Sequence, residues 1–122
     1  IELMNHMPQE KLRSMYNTSA ITVFPSIWEE TFGQIWAESL ACGTPVIASR
    51  TGGVADLMKE GGIFFEPRDH VELAENIIDL LLSPSEREEL AQKGYKYARE
   101  KFNRERATQE FVELYYNLEL RI

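Results

Sequence analysis

Two short apolar runs, separated by one helix-length segment, place the strongest constraint on how this chain folds. Residues 20–24 and 46–48 have the length and partly β-branched composition of strands that are buried on both faces. Between them, residues 34–42 form a mostly apolar helical run that stops at Gly43. Parallel strands need a crossover of this kind, so the pattern predicts strand, loop, helix and strand in a parallel α/β unit.

A third apolar run and further helical segments complete the predicted architecture. Residues 63–65 have the same strand-like composition, and a short helix is predicted around residues 54–59, before this third strand. The other helices are predicted from Pro8 to about Tyr16, from Asp69, from Ser83-Pro84 to about Lys101, and from Arg104 to about Leu120. We therefore predict an α/β fold in which helices flank a Rossmann-like parallel sheet.

Composition narrows the class of protein and the partners it takes. The 122 residues are 43% hydrophobic and 11% aromatic, which suffices for a single packed domain over residues 1–122. With 20 acidic against 13 basic residues the formal net charge is -7, and this field repels polyanions. We therefore expect neither nucleic acid nor an anionic membrane surface among the partners.

Cysteine content and hydropathy indicate the compartment. The sequence has one cysteine, Cys42, which cannot form an internal disulfide, so a reducing cytoplasm is the expected location. No apolar run approaches the roughly 18 residues of a membrane span. No cluster of cysteine and histidine predicts a metal site.

The loop after the first predicted strand is where we expect the chemistry. In an open parallel sheet, ligands bind beyond the carboxyl ends of the strands, and residues 25–33 lie there. Glu30 stands at the end of this loop, and Glu38 lies about a turn and a half inside the next helix. A glutamate on a buried helix is seldom without a partner, so Glu38 is expected to accept hydrogen bonds. The donor is either a ligand or part of the protein, such as a loop backbone or Arg50.

The start of that helix has the features of an anion site. Thr31 and Gln34 have capping-box spacing, in which Thr31 accepts a hydrogen bond from the backbone of Gln34. Gly33 has no Cβ, so a ligand can approach the backbone closely. The N–H groups of Gly33, Gln34 and Ile35 then face the crevice, where the helix dipole favours a phosphate. Every helix has such an end and most bind only water, so this feature alone leaves both interpretations open.

Several short motifs follow one another in fixed order along this region. They are Pro25-Ser26, Glu30, Phe32-Gly33, Glu38-Ser39, Gly43-Thr44-Pro45-Val46, Gly52-Gly53 and Asp56. Their order resembles the signature of the retaining glycosyltransferases of family four, which have the two-lobed GT-B fold. The E-x7-E motif of that family falls on Glu30 and Glu38, and weaker similarity covers nearly the whole chain. Thr31 stands where Pro is common in the family, and Ala55-Asp56 where Pro-Glu is common, but neither departure touches a proposed carboxylate.

The resemblance implies a role for each matching residue. Glu30 is expected to be catalytic and to face the donor sugar at its reacting end, while Glu38 binds the ribose hydroxyls of the nucleotide. The backbone at residues 32–33 is expected to contact sugar hydroxyls, and that at residues 34–35 the diphosphate. With Glu38, the expected donor-binding residues are Thr31, Phe32, Gly33, Gln34, Ile35, Gly52 and Gly53.

The resemblance also implies that the chain is an excised part of a longer enzyme. A GT-B enzyme has two lobes that face a cleft, whereas this chain resembles only the later part of the C-terminal lobe. The acceptor lobe is absent, as are the first strands of the donor lobe with the basic residues that neutralise the leaving diphosphate. The isolated piece is therefore expected to bind nucleotide weakly, to catalyse little, and to self-associate through exposed apolar surface. That surface is the stripe of the last helix formed by Ala107, Phe111, Leu114, Tyr115 and Leu118.

The leading hypothesis is an enzyme that transfers a sugar, as a hexosyltransferase does, from a nucleoside diphosphate sugar to an acceptor hydroxyl with retention of anomeric configuration. The resemblance implies that no metal or other cofactor is needed, and the nucleoside diphosphate sugar is expected as the donor substrate. The acceptor is expected to be a glycan, a lipid or a small molecule, and the inner face of a membrane is a second location for the full-length protein. The alternative is a non-catalytic nucleotide-binding or assembly module on the same fold. Within the family, a phosphorylase or sugar-phosphate synthase is not separated from a transferase by these residues.

Overall fold

The computed structural model describes residues 1–119, in which three parallel strands are flanked by helices. In chain order the elements are α1 Gln9–Thr18, β1 Thr22–Phe24, α2 Gln34–Ala41, β2 Val46–Ser49, α3 Gly52–Leu57, β3 Gly62–Phe65, α4 His70–Leu82, α5 Pro84–Lys101 and α6 Arg104–Glu119. The sheet order is β1-β2-β3, and Ala48 of β2 pairs with Phe24 on one side and Phe64 on the other. The predicted Rossmann-like parallel sheet is confirmed. The predicted end of the last helix, Leu120, lies outside the described residues.

The central strand β2 organises the core because its side chains alternate between the two faces of the sheet. Val46 and Ala48 join a cluster with α2 and α5 that contains Trp36, whereas Ile47 packs on the opposite face with Leu80 of α4. All four residues of β2 are buried. Burial of one large aliphatic side chain stabilises a fold by about 1.5–3 kcal/mol, so the two clusters hold the helices on both faces.

The strand β1 is less covered than the sequence predicted. Phe24 is buried in the cluster with α2, but Val23, which points to the other face, is 36% exposed. The prediction that this strand is buried on both faces is therefore wrong for β1. The physical reason is its position, since β1 lies at the edge of the described sheet and α2 covers only the face that carries Phe24.

Among the helices of residues 1–119, α6 differs from the others because its described residues include no buried one. Phe111 and Tyr115, two members of its predicted apolar stripe, are 62% and 68% exposed. Within residues 1–119, no helix combines the length and the apolar character needed to cross a bilayer.

Candidate functional site

Gly33 is the residue that sets how the chain enters α2. It precedes the helix with φ 72° and ψ 81°, a left-handed conformation that favours glycine. A Cβ at this position would also lie 2.9 Å from the Phe24 ring. No side chain among residues 1–119 caps α2, so the predicted capping box of Thr31 and Gln34 is wrong: the helix begins two residues later than that box requires.

The first turn of α2 therefore presents unpaired backbone donors. Within residues 1–119, the N–H groups of Gly33, Gln34 and Ile35 have no hydrogen-bond acceptor. Such first-turn groups have no partner inside their own helix, and the helix dipole adds partial positive charge there. Gln34 and Ile35 are exposed, so an anion can reach these groups from solvent.

The position of Glu30 is set by two serines at the carboxyl end of the sheet. Ser49, the last residue of β2, donates its hydroxyl to the backbone carbonyl of Ser26. The hydroxyl of Ser26 in turn donates to Oε1 of Glu30 at 3.1 Å. Glu30 is half-buried, and the bond from Ser26 fixes one oxygen of its carboxylate.

The turn at Gly52 and Gly53 packs directly against the same loop. The N–H of Gly53 donates to the carbonyl oxygen of Glu30 at 2.6 Å. A Cβ on Gly53 would lie only 1.9 Å from the carbonyl oxygen of Thr31, and one on Gly52 would lie 2.4 Å from that of Glu30. Two loops that are far apart in sequence are thereby brought into contact, and the contact requires glycine at both positions.

Phe32 connects this loop to the core. Its ring lies 5.2 Å from that of Trp36 and 5.3 Å from that of Phe102, so the side chain faces the protein. Its carbonyl accepts the indole N–H of Trp36 at 2.5 Å. The part of Phe32 that remains for a ligand is therefore its backbone N–H and the free lone pair of its carbonyl.

Glu38 has a protein partner that sequence reasoning did not identify. The half-buried Glu38 carboxylate accepts a hydrogen bond from the Tyr16 hydroxyl of α1 at 3.3 Å. Arg50, the other protein partner that the sequence offers, instead pairs with Glu66 at 3.2 Å. Burial, and after it the negative charge of Glu38, raises the pKa of Tyr16 to about 12, so the hydroxyl stays protonated at neutral pH. The sequence places Tyr16 on the inner face of the first helix, and a tyrosine there needs a hydrogen-bond partner for its hydroxyl. The sequence does not indicate which residue that partner is.

A groove of about 380 Å³ lies beside Glu38, between α2 and the junction of α5 with α6. It is lined by Ala37, Glu38, Ala41, Ala98, Arg99, Phe102 and Asn103. The α5 side of this groove was not foreseen, because its residues lie about 60 positions from Glu38 in sequence and only helix packing brings them close.

The predicted site residues thus fall into two groups. One group is assembled around the start of α2 and consists of Glu30, Thr31, Phe32, Gly33, Gln34, Ile35, Gly52 and Gly53. Glu38 lies one helical turn further along α2, four residues after Gln34 and on the same side of the helix. Roles of these residues toward a ligand stay predictions.

Comparison with known proteins identifies the family. The family model described as glycosyl transferases group 1 matches residues 1–97. The D-inositol 3-phosphate glycosyltransferase of Thermomonospora curvata is 37% identical over 94 residues, which cover 75% of this chain and 22% of that protein. The chain spans between about a fifth and a third of the length of the curated relatives it matches.

Solved structures give the same result for the fold. The sucrose-phosphate synthase of Thermosynechococcus elongatus matches 98% of this chain and 30% of its own, with a TM-score of 0.88 and 31% identity. The Anabaena protein HepE, solved in complex with UDP-glucose, matches 84% of this chain and 29% of its own, with a TM-score of 0.75 and 25% identity. The ordered motifs, the parallel sheet and these matches agree. The chain therefore belongs to the glycosyl transferases group 1 family and has the fold of the C-terminal domain of a GT-B glycosyltransferase.

Proposed function

We propose that this chain supplies the donor site of a retaining glycosyltransferase, which moves a sugar from a nucleoside diphosphate sugar to an acceptor hydroxyl. The observation that carries the proposal is the convergence at the carboxyl end of the sheet of the Glu30 carboxylate, the free N–H groups of α2, and the Gly52-Gly53 turn. Ligands of open parallel sheets bind at this edge. The UDP-glucose complex of the structurally similar HepE supports a nucleotide sugar as the ligand.

In the proposed complex, the start of α2 holds the diphosphate. The N–H groups of Gln34 and Ile35 donate to its oxygens, and the positive end of the helix dipole offsets part of its charge. Backbone atoms of Phe32 and Gly33 contact hydroxyls of the sugar. Glu38, one turn along the same helix, accepts hydrogen bonds from the ribose, for which it has the acceptor capacity of a carboxylate.

Glu30 is the proposed catalytic residue. Its carboxylate, with one oxygen fixed by Ser26, lies beside the start of α2, where the sugar follows the diphosphate. As the bond between the anomeric carbon and the diphosphate breaks, positive charge develops on the sugar ring, and a fixed carboxylate stabilises that charge. Catalysis then consists of holding the leaving group, orienting the sugar and complementing both developing charges.

The remaining features of the proposal follow from the family. The reaction uses no metal and no cofactor besides the donor itself. The acceptor, which is a glycan, a lipid or a small molecule, binds in a part of the cleft that these residues do not form. The proposed setting is the cytoplasm, or the inner face of a membrane for the full-length protein.

A glutamine substitution at Glu30 tests the catalytic role in the full-length protein. Glu30→Gln keeps the shape of the side chain and removes its charge, so the transfer rate is expected to fall by about 10²- to 10³-fold while UDP affinity changes less than about twofold. The measurements are release of nucleotide from UDP-, GDP- and ADP-sugars and calorimetric titration with the same nucleotides. Glu29→Gln is the matched control, because Glu29 is the exposed neighbour and is expected to change neither quantity.

Two results contradict this proposal in different ways. If Glu30→Gln transfers sugar at the normal rate, the catalytic assignment of Glu30 is wrong. If the unsubstituted protein binds a nucleotide but releases none from any of the three sugars, even with acceptors supplied, the non-catalytic module becomes the better description.

A further inference from the structure

The carboxylate of Glu38 is held by one protein group. Within residues 1–119, the hydroxyl of Tyr16 is its single hydrogen-bond donor, bonded to Oε2, and no cationic side chain forms an ion pair with it. The other oxygen, Oε1, has no hydrogen-bond partner, and it is not among the buried unpaired atoms of this part of the chain. One oxygen of the carboxylate is thus fixed by the protein, and the other is accessible to solvent.

The residue that donates this bond is itself held in place. Tyr16 is 7% exposed, and its carbonyl oxygen accepts a hydrogen bond of 2.6 Å from the hydroxyl of the buried Thr44. The carbonyl of Thr44 accepts in turn from Ser39, the neighbour of Glu38 on α2, at 2.9 Å. A continuous set of hydrogen bonds therefore connects α1 to the helix that carries Glu38, so the tyrosine hydroxyl has a defined position relative to the carboxylate.

A fixed hydroxyl at one oxygen limits rotation of the carboxylate. A glutamate side chain without such a bond loses rotational freedom when a ligand binds. The lost conformational entropy makes the free energy of binding less favourable. The pKa of Tyr16 is raised, first by burial and then by Glu38, so the hydroxyl remains a donor throughout the neutral range. Being neutral, it does not compensate the charge of the carboxylate, which keeps its strength as an acceptor.

We propose that Tyr16 is a positioning residue for nucleotide recognition, which holds Oε2 of Glu38 so that Oε1 is presented to the ribose hydroxyls. The inference rests on the proposed ribose role of Glu38 and adds a residue of α1 to the donor site. Tyr16 does not touch the nucleotide in this scheme and acts only through the carboxylate. Its effect is therefore confined to ligands that carry ribose hydroxyls.

The test compares UDP with 2′,3′-dideoxy-UDP in calorimetric titrations of the full-length protein. The unsubstituted protein is expected to prefer UDP. Tyr16→Phe, which keeps the ring and removes the hydroxyl, is expected to weaken UDP by about 3- to 10-fold, the range of one hydrogen bond, and to leave the dideoxy analogue within about twofold. Tyr97→Phe is the matched control: it removes a tyrosine hydroxyl that donates to the carbonyl of Leu57 and is expected to leave both affinities unchanged.

A double-mutant cycle separates positioning from a general loss of structure. If Tyr16 acts through Glu38, adding Tyr16→Phe to Glu38→Ala changes UDP affinity by less than about twofold. Equal weakening of both nucleotides by Tyr16→Phe, or an unchanged preference for UDP, overturns the inference and leaves the ribose role of Glu38 intact. Failure of the unsubstituted protein to distinguish the two nucleotides contradicts the ribose role itself, and the inference with it.

Discussion

The segment from Val23 to Asp56 and the helix α6 both contain many apolar residues, but they differ in how far those residues are buried. The first segment contains Trp36 and Leu40, both fully buried, and the glycine contacts that join its two loops. The second has a stripe of aromatic and aliphatic residues, yet none of its side chains is buried. Apolar patterning thus determines that a helix has an apolar face, while the partner of that face is determined elsewhere in the protein.

The two regions also differ in how substitutions are expected to act. At the buried residues of the first segment, such as Trp36 and Leu40, and at the Gly52-Gly53 turn, neighbouring atoms leave no free space, so removing or adding atoms leaves a cavity or a clash. In α6, the same changes alter only solvent-exposed surface within the described chain.

The largest expected difference is between Trp36→Ala and Tyr115→Ala. Trp36 is fully buried and donates its indole N–H to Phe32, so its loss is expected to lower the free energy of unfolding by about 3–5 kcal/mol. Tyr115 is 68% exposed, and its loss is expected to change that free energy by less than about 0.5 kcal/mol. Both values are measured by urea denaturation of the chain of residues 1–122. A loss of more than about 2 kcal/mol from Tyr115→Ala would show that Tyr115 is packed against an apolar partner in solution.

A smaller effect is expected from Gly53→Ala, which tests the contact between the two loops of the site. The added Cβ would lie 1.9 Å from the carbonyl of Thr31, so the loops must separate, at a cost of about 2–3 kcal/mol in stability. Gly43→Ala is the matched control, since a Cβ there meets no atom of the described chain within 4 Å, and the positive φ of 76° opposes it at about 1–2 kcal/mol.

Nucleotide binding is expected to distinguish these two glycine variants. Gly53→Ala is expected to weaken nucleotide binding as well as stability, because Glu30 and Thr31 are displaced. Gly43→Ala is expected to leave binding unchanged, since Gly43 ends α2 on the side away from the site. The measurement is nucleotide titration followed by NMR at temperatures where both variants are folded. Equal binding by the two variants would mean that the loop contact is irrelevant to the site.

The smallest effect is a loss of stability at high pH that originates from Tyr16. Its pKa is raised from the ordinary value of 10.0 to about 12 in the folded protein, so the unfolded chain loses the proton first. The contribution of Tyr16 to stability is fully present below pH 10 and is lost as the pH rises toward 12, on the order of 1–2 kcal/mol in total. Tyr16→Phe removes this dependence, so the difference in stability between the two proteins is expected to shrink across that interval. Parallel stability curves for the two proteins between pH 9 and 12 would contradict the prediction.

The sheet, the crossover helix and the loop order were predictable because they depend on local patterns. Residues 46–48 were identified as a buried strand and the structure has β2 at Val46–Ser49, while the helix predicted over 34–42 is α2 at Gln34–Ala41. Gly43, with φ 76°, ends that helix as predicted. In each case apolar periodicity or a glycine encodes the element without reference to distant residues.

The prediction for the start of α2 was wrong because two local signals competed. Spacing favoured a capping box at Thr31, but Gly33 adopts a left-handed conformation and packs against the ring of Phe24. That contact comes from a strand nine residues earlier and outweighs a hydrogen bond worth about 1 kcal/mol. The exposed face of β1 has a similar cause, since the composition of a strand does not reveal which of its faces a helix covers.

The elements and their order were readable from the sequence, because they follow from apolar periodicity and turn residues. The full set of candidate residues around Glu30 and Glu38 was implied by the resemblance of the ordered motifs to a known family. What each carboxylate contacts, in contrast, depends on how the elements pack together. Ser49 of β2 holds Ser26, which bonds Glu30 four residues later in the same loop, and the Gly53 turn meets the backbone of Glu30. Tyr16 of α1 reaches Glu38 of α2. The physical reason is that a hydrogen bond depends on distances of a few tenths of an ångström, and for residues 22 or more positions apart those distances are set by the packed core.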